Sequence, residues 1–148
     1  MQVTVATQIS TYYAFVAFMI ASNAVPMGET IPSALNIGLL TFIVGELGNV
    51  YHHNLLRQLK EERTKEKRRY VPPRGGLFEM VATPHYFFEV VAWVGIALVA
   101  QQFNAYMEIF SVLGYFWIRS KRTNEMYFKT FSKEEWPRSR KNLIPLVY

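Results

Sequence analysis

The sequence contains no cysteine and no aspartate among its 148 residues. The absence of cysteine excludes a disulfide framework and a thiolate metal site, but it does not identify the cellular compartment. Lysine and arginine are also absent from long parts of the chain, because all 16 lie in residues 57–74 and 119–141. Apolar blocks therefore alternate with basic blocks along the chain.

This alternation predicts a membrane protein. The chain is 51% hydrophobic and 16% aromatic, and basic loops are typical of the cytosolic side of polytopic membrane proteins. A pI of 9.5 also suggests a nucleic-acid-binding protein, but the basic stretches flank segments too apolar to face water. We predict an all-α polytopic membrane protein with about four transmembrane helices, a cytosolic basic loop and a cytosolic basic tail.

The apolar segments are predicted at residues 9–25, 31–56, 77–103 and 105–118. Residues 59–74 are predicted to be a soluble loop, and 119–148 a basic tail whose apolar end packs on the helices. With both basic stretches on one side of the membrane, the two termini are cytosolic. We expect Tyr12 and Tyr13 to anchor the first segment at the interface. Three glycines of the second segment would allow close helix contact: Gly38, Gly45 and Gly48.

Two apolar segments carry polar side chains in helical register. Glu46, Asn49 and His53 are spaced by three and four residues and predict one polar stripe, which Lys60 extends into the basic loop. His85 and Glu89 are four residues apart and share a helix face. A charge inside the hydrocarbon costs about 2.5–3.5 kcal/mol. The last two residues therefore either pair with each other or cap a helix end, or they line a ligand site.

Common nucleotide and metal motifs are absent. The sequence has no GxGxxG and no GxxxxGK[ST], so any nucleotide must be held by side chains at the cytosolic ends of the stripes: Asn49, His53, Lys60, Arg119 and Tyr127. For the basic residues the alternative role is contact with lipid headgroups. We predict no metal site, because adjacent His52 and His53 point about 100° apart on a helix. Tyr86 is either a proton donor or an interface tyrosine.

A series of motifs points to a known family. The first motif is GNVYHHNLLRQLK at 48–60, and Tyr70 and Pro73 come before a second, GGLF at 75–78. The third is Pro84-His85-Tyr86, followed by Glu89, Trp93 and Gly95. The last matching positions are Arg119, Tyr127, Lys129, Phe131 and residues 137–145. In this order, over residues 45–148, they resemble the C-terminal domain of the steroid 5α-reductase (3-oxo-5-alpha-steroid 4-dehydrogenase) family, which includes the very-long-chain trans-2-enoyl-CoA reductases. Residues 1–44, an upstream transmembrane segment and the start of the second helix, match no motif.

The resemblance implies a membrane enzyme of the endoplasmic reticulum that uses NADPH to reduce a carbon–carbon double bond conjugated to a carbonyl. The substrate would be a lipid, either a 3-oxo-Δ4 steroid or a long-chain trans-2-enoyl-CoA. Tyr86 would be the catalytic proton donor. The cofactor-binding positions would be Asn49, His53, Lys60, Tyr70, His85, Glu89, Arg119 and Tyr127. The implied partners are membrane lipids and fatty-acid elongation enzymes, with no nucleic acid.

Several departures from the family pattern separate its branches. His53 and Tyr86 are similar to the enoyl-CoA reductases, whereas Gly75-Gly76-Leu77-Phe78 is similar to the steroid reductases. Because family members are longer, we expect a C-terminal fragment of a full enzyme. One alternative is a non-catalytic membrane remnant that binds lipid. Another is an isoprenylcysteine-methyltransferase-like enzyme using S-adenosylmethionine, which shares a Pro-x-Tyr element but not the spacing from Arg119 to Tyr127.

Overall fold

A computed structural model describes residues 2–26, 30–65 and 70–148 of the chain. In these ranges it contains four α-helices, α1 (Gln2–Ser22), α2 (Pro32–Lys65), α3 (Pro84–Ala100) and α4 (Phe103–Thr130), and a 3₁₀-helix at Gly76–Glu79. No strand occurs in the described ranges, where the one β-type pairing is an isolated bridge between Val81 and Lys141. The all-α prediction is confirmed.

The closest helix pair is α2 against α3. Glycines make this approach possible, because a Cβ atom on Gly45 would lie 2.5 Å from the Ala92 nitrogen and one on Gly38 would lie 2.9 Å from the Gly95 oxygen. From the other side, a Cβ atom on Gly95 would lie 2.4 Å from the Phe42 nitrogen. The expected close contact through Gly38, Gly45 and Gly48 is therefore confirmed, since a Cβ atom on Gly48 would also overlap the Phe88 ring.

Helix α2 is longer than its apolar segment. The prediction of a loop from residue 59 was wrong, because the helix continues to Lys65. Glutamate, lysine and arginine are good helix formers, so the end of the apolar segment does not end the helix. One helix in the described ranges, Pro32–Thr64, is long and apolar enough to cross a membrane. In the most apolar part of this helix, only 11% of the residues are buried. The other helices therefore leave most of its apolar surface uncovered.

The third apolar segment forms two separate helices rather than one. The 3₁₀-helix at Gly76–Glu79 comes first, and α3 begins at Pro84 after Thr83 as its N-cap. Proline is well suited to the first helical turn, where its missing N–H is not needed. Helix α3 ends at Ala100, followed by Gln101 in a left-handed conformation. A single helix over residues 77–103 was therefore too long a prediction.

Helix α4 extends well beyond its apolar part. The prediction of a tail from residue 119 was wrong, because α4 continues to Thr130 and so carries Arg119 and Tyr127. The true tail folds back as predicted. Leu143 is buried at 1% exposure, and the Tyr148 ring stacks on Trp117 with 3.4 Å between ring centroids.

The tail is held by a buried polar network. Asn124 accepts a hydrogen bond from the Trp136 indole at 2.8 Å and donates one to the Asn142 side chain at 2.9 Å. Buried Arg140 lies 2.6 Å from Glu79 and over the Trp136 ring. Desolvation is the main cause that lowers the pKa of its guanidinium. These contacts join the tail to the segment that precedes α3.

Helix α1 packs on α3 and α4 through polar contacts. Gln102 and Asn104 donate to the carbonyls of Ile20 and Met19 at 3.0 and 3.1 Å, which supplies donors to the C-terminal carbonyls of α1. The hydroxyls of Tyr12 and Tyr13 donate to the carboxylates of Glu108 and Glu89.

Candidate functional site

The crossing of α2 and α3 brings together three of the predicted cofactor-binding residues. The Asn49 amide donates to the His85 carbonyl at 3.0 Å. The rings of His53 and His85 lie 5.0 Å apart. His85 is buried, and its Nδ1 atom has no hydrogen-bond partner in the described part of the chain. Asn49 and His53, two members of the predicted polar stripe of α2, therefore face the N-terminal turn of α3.

Tyr86 links this cluster to α4. Its ring lies 4.2 Å from the His85 ring and stacks on Phe116 at 4.4 Å. Arg119 interacts with Tyr86, and this interaction is the main cause that raises the pKa of the guanidinium. The site therefore places a cation close to Tyr86, the predicted proton donor.

Tyr127 lies on α4 about two helical turns beyond Arg119. Burial is the main cause that raises the pKa of Tyr127 to about 12, and the charge of Tyr86 adds to it. The phenol is therefore neutral at physiological pH and able to donate a hydrogen bond. Its ring also packs edge-on against Trp136 at 4.7 Å, which connects the site to the tail.

Glu89 faces an apolar cavity between α1, α2 and α3. The cavity has a volume of about 600 Å³, and its polar lining residues are Tyr13, Glu46, Asn49 and Glu89. Tyr13 donates to Glu89 and stacks on Trp93, with the ring planes 10° apart. The hydrogen-bond partner of Glu89 is therefore Tyr13 of α1. The alternative that Glu89 pairs with His85 was wrong.

Lys60 and Tyr70, the two other predicted cofactor-binding residues, are exposed. Lys60 is exposed on the extension of α2, about 10 Å along the helix axis from His53 by the helical rise. Tyr70 is exposed in the segment before the 3₁₀-helix. Between that extension and this segment lies a second cavity of about 340 Å³, with Leu55, Leu59 and Pro72 in its wall.

No cluster of three or more His, Cys, Asp or Glu side chains suited to a metal ion occurs among the residues that the structure describes. His52 and His53 diverge as their adjacency predicts. His52 turns towards Gly48 and Leu77, whereas His53 turns towards His85.

Sequence reasoning missed the contact of Tyr13 with Glu89 and the contacts of Arg140. A tyrosine near the end of an apolar segment gives no signal that distinguishes a helix partner from lipid headgroups. Arg140 lies in a basic stretch, where exposure is the usual expectation. Both contacts join residues more than 60 positions apart, beyond the reach of local periodicity.

Comparison with known proteins identifies the family. A model of the family described as 3-oxo-5-alpha-steroid 4-dehydrogenase matches residues 1–148. The chain belongs to this family. The match therefore includes the first 44 residues, for which the motifs gave no assignment.

Relatives come from both branches that the motifs suggested. The chain is 35% identical to steroid 5-alpha-reductase DET2 of Arabidopsis thaliana, over 76% of this chain and 41% of the relative. It is 34% identical to the very-long-chain enoyl-CoA reductase of Dictyostelium discoideum, over 75% of this chain and 36% of the relative. The match to human 3-oxo-5-alpha-steroid 4-dehydrogenase 2 has 30% identity and covers 88% of this chain and 50% of the relative. The chain thus spans half or less of these relatives.

Proposed function

We propose that this chain forms the cofactor-binding and proton-donating part of an NADPH-dependent reductase of a lipid carbon–carbon double bond conjugated to a carbonyl. The observation that carries the proposal is the arrangement of Tyr86. Arg119 of α4 interacts with Tyr86, and the His85 imidazole lies 4.2 Å from the Tyr86 ring. The His85 carbonyl in turn accepts a hydrogen bond from Asn49, which lines the apolar cavity together with Glu89. Membership of the family agrees with this chemistry.

The residues present fit the polar end of a nicotinamide. A carboxamide both donates and accepts hydrogen bonds, and the site offers the Glu89 carboxylate, the Asn49 side chain and the unpartnered Nδ1 atom of buried His85. The phosphates would be held by cations near the cytosolic end, where Lys60 and Arg119 are exposed. The remaining proposed contacts are His53, Tyr70 and Tyr127. When bound, NADPH would supply the hydride that the β-carbon of the double bond accepts.

The protein's own contribution to the reaction is a proton for the α-carbon. Tyr86 is placed to give up its phenolic proton as the electrons of the double bond move to that carbon. The Arg119 guanidinium would then stabilise the phenolate until a proton from solvent restores the hydroxyl. The proton from Tyr86 and the hydride that the cofactor would supply together saturate the double bond.

The substrate class follows from Tyr86 and the cavity. A steroid and a long acyl chain both have an apolar body and a carbonyl, which suits an apolar cavity with polar groups in its wall. Tyr86 favours a trans-2-enoyl-CoA, because this hydroxyl has no counterpart in the steroid branch that the motifs resemble. A 3-oxo-Δ4 steroid is the second candidate, which the DET2 relative supports.

The test is reduction of a long-chain trans-2-enoyl-CoA by the purified chain and by the Tyr86→Phe variant. If Tyr86 is the acid, we expect the rate to fall by about 10²–10⁴, with NADPH affinity unchanged. Tyr106→Phe is the matched control, because Tyr106 is exposed on α4. Full activity of Tyr86→Phe would refute the assigned role. Steroid reduction without enoyl reduction would assign the chain to the second substrate class.

The membrane arrangement completes the proposal. The helix Pro32–Thr64 is long and apolar enough to be one crossing. In the proposed arrangement the two shorter apolar helices, Ser10–Ser22 and Pro84–Ala100, would be two more, and the apolar part of α4 would be the fourth. In the endoplasmic reticulum, the basic stretches and both termini would face the cytosol. A glycosylation acceptor inserted between residues 63 and 69 should stay unmodified in microsomes. Glycan attachment there would contradict this orientation.

A further inference from the structure

His52 lies buried where three elements meet. It belongs to α2, its ring stacks on Phe88 of α3 at 5.2 Å, and Phe78 of the 3₁₀-helix meets it edge-on at 5.7 Å. A Cβ atom on Gly76 would lie 2.7 Å from its Nε2 atom. The turn that starts the 3₁₀-helix therefore rests directly on this imidazole.

Each ring nitrogen of His52 hydrogen-bonds to a backbone group, one of which can only accept and the other only donate. Nδ1 lies 2.7 Å from the Gly48 carbonyl oxygen, and a carbonyl can only accept, so the hydrogen must be on Nδ1. Nε2 accepts a hydrogen bond from the Leu77 N–H at 3.0 Å, so it must keep its lone pair. The two partners together require a neutral ring in the Nδ1–H tautomer.

The Leu77 N–H has no acceptor inside its own short helix, as is general for the first N–H groups of a helix. His52 supplies that acceptor from α2. Three residues earlier on the same helix, Asn49 binds the His85 carbonyl at 3.0 Å. Helix α2 therefore attaches both ends of the segment from Leu77 to His85, and Tyr86 is the next residue.

We propose that His52 is a positioning residue for Tyr86, acting as a neutral Nδ1–H imidazole that docks the 3₁₀-turn onto α2. Its role is to accept the Leu77 N–H, and it does not touch substrate or cofactor. The link to catalysis rests on the proposed function of Tyr86, whereas the tautomer and the docking of the turn do not.

The first test measures the ring directly. In protein labelled with ¹⁵N-histidine, the His52 ring should give the two nitrogen shifts of a neutral Nδ1–H tautomer, identified by their loss in His52→Gln. An Nε2–H tautomer or a charged ring at neutral pH would overturn the proposal. This measurement needs no substrate and no bound cofactor, so it decides the tautomer even if the reductase proposal fails.

The second test compares two substitutions. His52→Gln keeps an acceptor near the position of Nε2, whereas His52→Phe keeps the ring stacking and loses the acceptor. In hydrogen exchange, the Leu77 amide should stay protected in His52→Gln and exchange at least about tenfold faster in His52→Phe, since a lost buried hydrogen bond has an effect of this size. Exchange in α3 serves as the control for folding. Equal protection of Leu77 in both variants would refute the docking role.

The third test connects docking to chemistry. Enoyl reduction should fall about tenfold in His52→Phe and recover in His52→Gln, a rescue that a purely steric role of the ring would not give. Equal losses in the two variants would refute the positioning role. An inactive wild-type chain with a protected Leu77 amide would instead count against the proposed function alone.

Discussion

The contact of Gly45 with α3 gives the sharpest prediction about stability. An added Cβ atom would lie 2.5, 2.7 and 2.8 Å from the nitrogen, Cα and Cβ atoms of Ala92. Two of these atoms are backbone, which cannot rotate away as a side chain can. Alanine at this position therefore forces the two helices apart.

The expected size follows from two opposing effects. Alanine in a helix is favoured over glycine by about 1 kcal/mol, whereas overpacking costs about 1–3 kcal/mol. Because the overlap is with backbone, we expect the upper half of that range and a net loss of about 1–2 kcal/mol in Gly45→Ala. Gly114 is the matched control. It also lies inside a helix, but apart from its chain neighbours and its own helix backbone no described atom comes within 4 Å of the point that an added Cβ atom would occupy, so Gly114→Ala should gain up to about 1 kcal/mol.

The assay is thermal unfolding of the two variants in the same detergent. A difference of about 2–3 kcal/mol corresponds to about 4–12 °C in Tm for a chain of this size. Gly45→Ala should also weaken NADPH binding, because Asn49 is one turn further along α2 and its 3.0 Å bond to His85 spans the same interface. Equal Tm shifts in Gly45→Ala and Gly114→Ala would refute the account of the α2–α3 contact.

Two further predictions concern the tail. Arg140→Ala removes the ion pair with Glu79, the hydrogen bond to the Pro73 carbonyl and the contact over the Trp136 ring. Because Glu79 is half exposed, water can solvate the carboxylate that is left. We therefore expect the free energy of chemical unfolding to fall by about 2–3 kcal/mol. The control Arg138→Ala, at an exposed arginine, should lose less than about 1 kcal/mol, and equal losses would contradict the network. Trp136→Phe leaves the buried Asn124 oxygen without its indole donor and should lower the free energy of unfolding by about 1–3 kcal/mol. A Trp136→Phe variant with unchanged stability would refute this cause.

Local spacing predicts much of the site. His85 and Glu89 share a face of one helix, and Asn49 and His53 share a face of another, because side chains three and four residues apart lie on the same side of a helix. The glycines of α2 indicate the close helix contact for a similarly local reason, since a missing Cβ allows backbones to approach. These features are encoded within single helices.

Helix ends and distant contacts are not encoded in this way. Hydropathy marks where an apolar segment ends, but the charged residues up to Lys65 in α2 and up to Thr130 in α4 remain good helix formers. The pairing of Tyr13 with Glu89 depends on how α1 packs on α3, which no pattern within α1 expresses. The role of His52 likewise depends on Leu77, 25 residues away.

The central claim is that this chain builds its own NADPH site around Glu89. The most direct test is titration of NADPH into the purified chain in detergent, with S-adenosylmethionine as a parallel ligand. Glu89→Ala should abolish NADPH binding. Glu108→Ala should leave it intact, because both carboxylates accept a hydrogen bond from an α1 tyrosine but only Glu89 lines the cavity. Binding of S-adenosylmethionine alone, or NADPH binding that survives Glu89→Ala, would contradict the account.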